Sequence, residues 1–152
     1  YDVHVIMTEA AQAFITPLTL QVLSKNPVHT DVMEEKLAER INHIDLAKKT
    51  DLFIVAPASA NTIAKLAHGM ADNMLTATAL ALPSTTPKLI APAMNTKMYE
   101  NPLTKKNLDT LQEVGYQEIL PKSGLLACGD TGRGALADIS VIIESIDNAL
   151  TK

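Results

Sequence analysis

The chain has 152 residues, 47% of them hydrophobic and 20% charged, which suits one globular domain with a real core and argues against disorder. A net charge of -4 and an aromatic content of 3% give no footprint for nucleic acid or an anionic membrane. No apolar run nears the length of about 20 residues that spans a bilayer, no signal peptide is read at the start, and a single cysteine rules out an internal disulfide framework. A soluble cytoplasmic domain is the expectation.

In chain order, the first element is an apolar run, Asp2–Met7, read as a buried strand. A chain that begins at Tyr1 and enters such a run at once is expected to have lost a segment before it. Helical stretches are read over Pro17–Ser24 and Ile41–Lys49. A second strand follows at Asp51–Ala56, then helices over Asn61–Gly69 and Asn73–Leu82, and a third strand at Lys88–Ala91. Pro102–Val114 reads as a helix and Gln117–Leu120 as a weaker fourth strand. In the last helix, Asp138–Leu150, the residues Ile139, Ile142, Ile143 and Ile146 recur at helical spacing. Strands alternating with helices predict an α/β fold: a Rossmann-like (flavodoxin-like) open parallel sheet with helices on both faces, in a single domain over 1–152.

Two strands end in the same tripeptide, within Ala56-Pro-Ala-Ser-Ala-Asn-Thr62 and Ala91-Pro-Ala-Met-Asn-Thr96. Ligands of open α/β sheets bind outside the carboxyl ends of the strands, so both are candidate site segments. Pro and Asn that merely stop strands and cap helices would look the same. In Ser59-Ala-Asn-Thr62, small residues let a ligand approach the backbone, and a helix N-terminus there offers N–H groups to an anion. The spacing matches neither a Walker loop nor a dinucleotide fingerprint. Asn95 could cap a short helix or bind a carboxylate.

Four of the six glycines, Gly124, Gly129, Gly132 and Gly134, fall in Ser123–Gly134, which predicts a mobile loop suited to closing over a substrate. Cys128 lies in its middle, where a thiol is accessible enough for chemistry. His43 stands at the start of a predicted helix, as fit for proton transfer as for capping. His4, His29 and His68 show no metal-ligand spacing, and no zinc or other metal site is read.

Taken together and in this order, Pro57-Ala-Ser-Ala-Asn-Thr62, Pro92-Ala-Met-Asn95 and Ala127-Cys-Gly-Asp130 resemble the signature of the homo-oligomeric flavin-containing cysteine decarboxylases. The resemblance runs from Tyr1 to the end. It implies FMN as cofactor, with Ser59, Ala60, Asn61 and Thr62 matching the flavin-binding segment and Thr8 and Ala93 as weaker matches. It implies His43 as catalytic base, Asn95 as the group that grips the substrate carboxylate, and Cys128 as proton donor on a flap over the substrate. The implied reaction removes carbon dioxide from a phosphorylated cysteine amide. Two electrons leave the thiol for the flavin, the resulting thioaldehyde serves as electron sink for decarboxylation, and the electrons then return. Cys128 points to the reducing branch of the family; a peptidyl-cysteine decarboxylase and a non-catalytic flavin-binding regulatory subunit are the alternatives. The family opens with a strand–turn–helix unit, after which this chain is expected to start. Homotrimers, often assembled into dodecamers, are the implied partners. Lys97, Lys122 and Arg133 are candidates for a substrate phosphate.

Overall fold

The computed structural model describes residues 1–33, 41–126, 129 and 131–151. Two compact units divide the chain, Tyr1–Lys49 with Met70–Leu82, and Thr50–Gly69 with Pro83–Lys152.

In the first unit the expected strand Asp2–Met7 is reduced to one parallel bridge between Ile6 and His29, closed by Met7 N–H to the His29 carbonyl (2.9 Å) and His29 N–H to the Val5 carbonyl (2.9 Å). Apolar character alone does not make a ladder; a strand also needs a neighbour of matching length. A 3-10 turn at Ala10–Ala13 leads into helix α1, Pro17–Ser24. Thr16 caps α1 and Pro17 opens it, where the missing N–H costs nothing. Helix α2 spans Asn42–Lys49, and β1 and α3 of the second unit (Phe53–Ala58 and Ala60–Ala67) precede α4, Met74–Ala81. Asn73 and Thr76 form a reciprocal capping box at the start of α4, which packs against α2 and is buried from Met74 to Ala79.

The second unit carries a three-stranded parallel sheet in the order β1-β2-β3, where β2 is Lys88–Pro92 and β3 is Tyr116–Glu118. Helices α5 (Thr96–Glu100) and α6 (Pro102–Glu113) form the crossover from β2 to β3. Residues alternate across a strand, so Leu89 and Ala91 share one face while Ile90 takes the other. All three are at most 1% exposed, as expected of a central strand covered on both sides. Leu89 and Ala91 join Ile119, Ala137 and Ile142 in the core under helix α7, Ile139–Leu150. Only part of the apolar stripe read in the last helix packs: Ile142 is buried and Ile146 lies against the cluster, whereas Ile139 and Ile143 are exposed.

The glycine-rich segment departs from expectation. Its arms are strands β4 (Lys122–Leu125) and β5 (Thr131–Ala135), paired antiparallel as a hairpin instead of an unstructured loop. Lys122 Nζ is ion-paired with Asp138 Oδ1, tying the hairpin's base to the N-cap of α7. Among the described residues, no helix is long and apolar enough to cross a membrane.

Candidate active site

The sheet register brings the two Ala-Pro-Ala segments side by side. Ala58 is the partner of Pro92, and Ala93 N–H donates to the Ala58 carbonyl at 3.0 Å. Between Val55 and Ala58 strand β1 advances three residues while β2 advances two, a local bulge at Ala56-Pro57. Proline brings no N–H to the ladder, which suits it to such a position. Both strands therefore discharge their next residues, Ser59 and Ala93, at one carboxyl edge.

From there the local chemistry follows the sequence. Ser59 is the N-cap of α3; its Oγ accepts from Thr62 N–H at 3.3 Å and donates to Thr62 Oγ1 at 3.3 Å. No side chain from Ala56 to Thr62 is longer than that of Asn61, so the backbone of this junction is approachable. Asn95 is the N-cap of α5, with Oδ1 accepting from Lys97 N–H at 2.9 Å. The carboxamide is thereby turned so that its acceptor end faces its own helix.

The hairpin docks on this same edge. Met94 N–H donates to the Gly134 carbonyl at 2.9 Å. A Cβ at Gly134 would collide with the Met94 carbonyl oxygen, and one at Gly132 would meet the Thr96 side chain. Together the two segments border an open pocket of about 310 Å³, lined by Ala93, Met94 and Asn95 from the end of β2 and by Leu126, Gly134 and Leu136 from the hairpin side. Asn95 is the polar side chain of an otherwise apolar wall. Gly134→Ala is expected to destabilise the protein by about 2 kcal/mol or more, because the obstructing atom is backbone and cannot rotate away. Urea denaturation checks this: an unchanged midpoint would mean that the hairpin docks elsewhere.

Thr8 and His43 belong to the first unit. Thr8 Oγ1 accepts from Ala11 N–H at 3.2 Å and so starts the 3-10 turn. His43 lies in the first turn of α2, half-buried, and its Nδ1 is buried without a hydrogen-bond partner. Such an atom is costly to bury unless something else completes it. Cys128 lies outside the described residues; of its neighbours in sequence, Gly129 donates its N–H to the Leu126 carbonyl at 2.9 Å. Of the three basic candidates, Lys122 is taken up by Asp138, whereas Lys97 is exposed on α5 and Arg133 sits on β5. Among the described residues, no cluster of His, Cys, Asp or Glu could hold a metal ion.

Sequence reasoning passed over Thr96, whose Oγ1 is buried without a partner beneath Gly132, and Tyr99, the buried residue of α5. It also missed Leu126 and Leu136 as cavity walls. The one available signal was position: Thr96 directly follows Asn95.

A family model described as Flavoprotein matches residues 1–151. The chain belongs to the flavoprotein family. This flavoprotein is 63% identical over 150 residues to a probable phosphopantothenoylcysteine decarboxylase of Streptococcus mutans, covering 99% of the chain and 84% of the relative. It is 50% identical over 143 residues to the coenzyme A biosynthesis bifunctional protein CoaBC of Bacillus subtilis, covering 94% of the chain but only 35% of that larger protein. A solved PPC decarboxylase mutant complexed with pantothenoylaminoethenethiol superposes with a TM-score of 0.86 at 34% identity, covering 99% of the chain and 84% of that structure. The FMN-dependent cysteine decarboxylase SpaF gives 0.83 at 34% identity, covering 97% and 77%. The predicted flavodoxin-like α/β fold is the one these structures share.

The second unit fits a flavin on its own chemistry. The short residues of the β1–α3 junction leave room for a flat ring or a phosphate, and the first turn of α3 presents N–H groups with no intrahelical acceptor. Ser59, Asn61 and Thr62 add hydroxyl and amide groups at the same edge.

Proposed function

We propose that the flavoprotein decarboxylates 4'-phospho-N-pantothenoylcysteine to 4'-phosphopantetheine, with FMN as cofactor, in coenzyme A biosynthesis. The observation that carries this reading is the cavity at the carboxyl end of β2, where Asn95 meets the hairpin that leads to Cys128. The 63% identity to a probable phosphopantothenoylcysteine decarboxylase supports it, as does the likeness to an FMN-dependent decarboxylase.

Ser59, Ala60, Asn61 and Thr62 would hold the cofactor, with Ala93 and Thr8 as further contacts. Bound flavin supplies a two-electron acceptor for the substrate thiol and later returns those electrons. Asn95 uses its acceptor end on Lys97 N–H, so the NH2 end is the one suited to a substrate carboxylate, which accepts only. Holding that carboxylate fixes which bond breaks, a contribution of position rather than of acid–base strength. The apolar wall of Ala93, Met94, Leu126 and Leu136 offers an apolar surface to a carboxylate about to leave as neutral carbon dioxide. His43 takes up the proton released when the thiol is oxidised. Cys128 delivers a proton to the substrate carbon in the final reduction.

Mass spectrometry of the products formed from 4'-phospho-N-pantothenoylcysteine, with FMN-loaded protein, tests the reading. Loss of carbon dioxide with a saturated thiol product is the expected result. An enethiol product would assign the chain to the peptidyl-cysteine branch, and no turnover by a yellow protein would remove the assigned substrate.

A cytoplasmic homo-oligomer, trimeric or dodecameric, is part of the same proposal. In the first unit Leu18 and Val22, four residues apart on α1, are 67% and 68% exposed, and Phe14 before the helix is 93% exposed, apolar surface of the kind that subunits cover. Light scattering coupled to size exclusion reads the mass directly, and a monomer would refute it.

A further inference from the structure

Asn95 caps a helix of only five residues, α5, and one turn of helix does not hold itself in water. Something else must keep the cap in place. Tyr99 is the buried residue of that helix, 5% exposed, and its N–H closes the first turn on the Asn95 carbonyl at 3.0 Å. Its phenol reaches across to β3 and donates to Glu118 Oε1 at 2.9 Å. Glu118 is the sheet partner of Ile90, on the strand from which Asn95 emerges. The chain therefore leaves the sheet at Pro92, passes through Asn95 and is pinned back beside Ile90, two residues before its point of departure. Burial, with Glu118 alongside, pushes the Tyr99 phenol up to about 12, so it stays protonated and donating at neutral pH. The Lys105 ammonium lies 5.4 Å from the ring centroid, on the next helix, and packs the same ring from α6.

We propose that Tyr99, through its hydrogen bond to Glu118, is a positioning residue that holds the Asn95 carboxamide in the cavity. The proposal rests on the assignment of Asn95 to the substrate carboxylate. Tyr99 touches neither substrate nor cofactor; it acts by fixing the direction of the carboxamide.

The decisive comparison is Tyr99→Phe against the wild-type flavin-loaded protein, which removes one oxygen and keeps the buried ring. Two readouts are needed. The first is hydrogen–deuterium exchange in the segment 94–101, where the Lys97 and Tyr99 amides are bonded to Asn95; it is expected to quicken by about fivefold, the worth of one ordinary hydrogen bond. The second is steady-state kinetics, where KM is expected to rise by about the same factor while kcat changes less than about twofold, because uniform binding is lost rather than transition-state contact. Glu118→Gln keeps a carbonyl acceptor for the Tyr99 hydroxyl and is expected to leave both values near wild type; Glu118→Ala is expected to match Tyr99→Phe, and the double variant to add nothing. Unchanged exchange in Tyr99→Phe, or a fall in kcat at constant KM, would overturn the proposal. A wild-type protein without turnover would count against the functional assignment instead, and the exchange readout would then decide the positioning role by itself.

Discussion

Asn95→Asp is expected to lower kcat/KM by about a hundred- to a thousandfold while leaving the fold intact. The two halves of that outcome separate cleanly because the proposed role would add a second job to the observed one. As N-cap of α5 it accepts from Lys97 N–H, and aspartate caps as well as asparagine does. In the proposed role as carboxylate ligand it would donate, and an aspartate cannot. A carboxylate in its place faces the substrate's own negative charge beside the apolar wall of Ala93, Met94, Leu126 and Leu136. Two like charges about 4 Å apart repel by about 4 kcal/mol at an effective dielectric of about 20, which corresponds to about three decades. Thermal denaturation beside the kinetics separates the two jobs. Near-normal turnover with a normal melting temperature would show that Asn95 does not meet the carboxylate.

Cys128→Ser is expected to change the product rather than merely slow the enzyme. Decarboxylation needs only the oxidised substrate, the carboxylate grip and an exit for carbon dioxide. The proton delivered in the last reduction is a separate requirement, and a serine hydroxyl is a far weaker acid than a thiol. The variant should release or retain an enethiol, two hydrogens lighter than the saturated product, which mass spectrometry resolves. Saturated product at the wild-type rate would refute the role of Cys128.

Several elements were legible because their signals are local. Helix α1 is read and observed over the same residues, Pro17–Ser24, since Thr16 and Pro17 fix its start without help from elsewhere. Helix α6 likewise starts where it was read, at Pro102 behind Asn101, and ends at Glu113, one residue short of the expected Val114. The apolar runs that became β1 and β2 were found because a covered parallel strand has little room for polar residues. The run Asp2–Met7 carries the same signal and forms only the Ile6–His29 bridge, because pairing depends on a partner that the run does not encode.

The candidate site divides along the same line. Sequence alone supplied its candidate residues: small residues and hydroxyls after one strand, Asn95 after another, a histidine, and a cysteine among glycines, which together resembled one family of flavin-dependent decarboxylases. Only the tertiary structure decided that the two Ala-Pro-Ala segments are neighbours in register, through Ala93 N–H to the Ala58 carbonyl. It decided that the glycine-rich stretch has paired arms, with Gly132 and Gly134 needed for close approach to Thr96 and Met94 rather than for looseness. And it decided that a buried tyrosine on a single turn of helix reaches Glu118, nineteen residues further along the chain. Capping and periodicity act between residues a few positions apart and are written in their order. Register, docking and buried hydrogen bonds join residues whose separation along the chain carries no information about their distance in space.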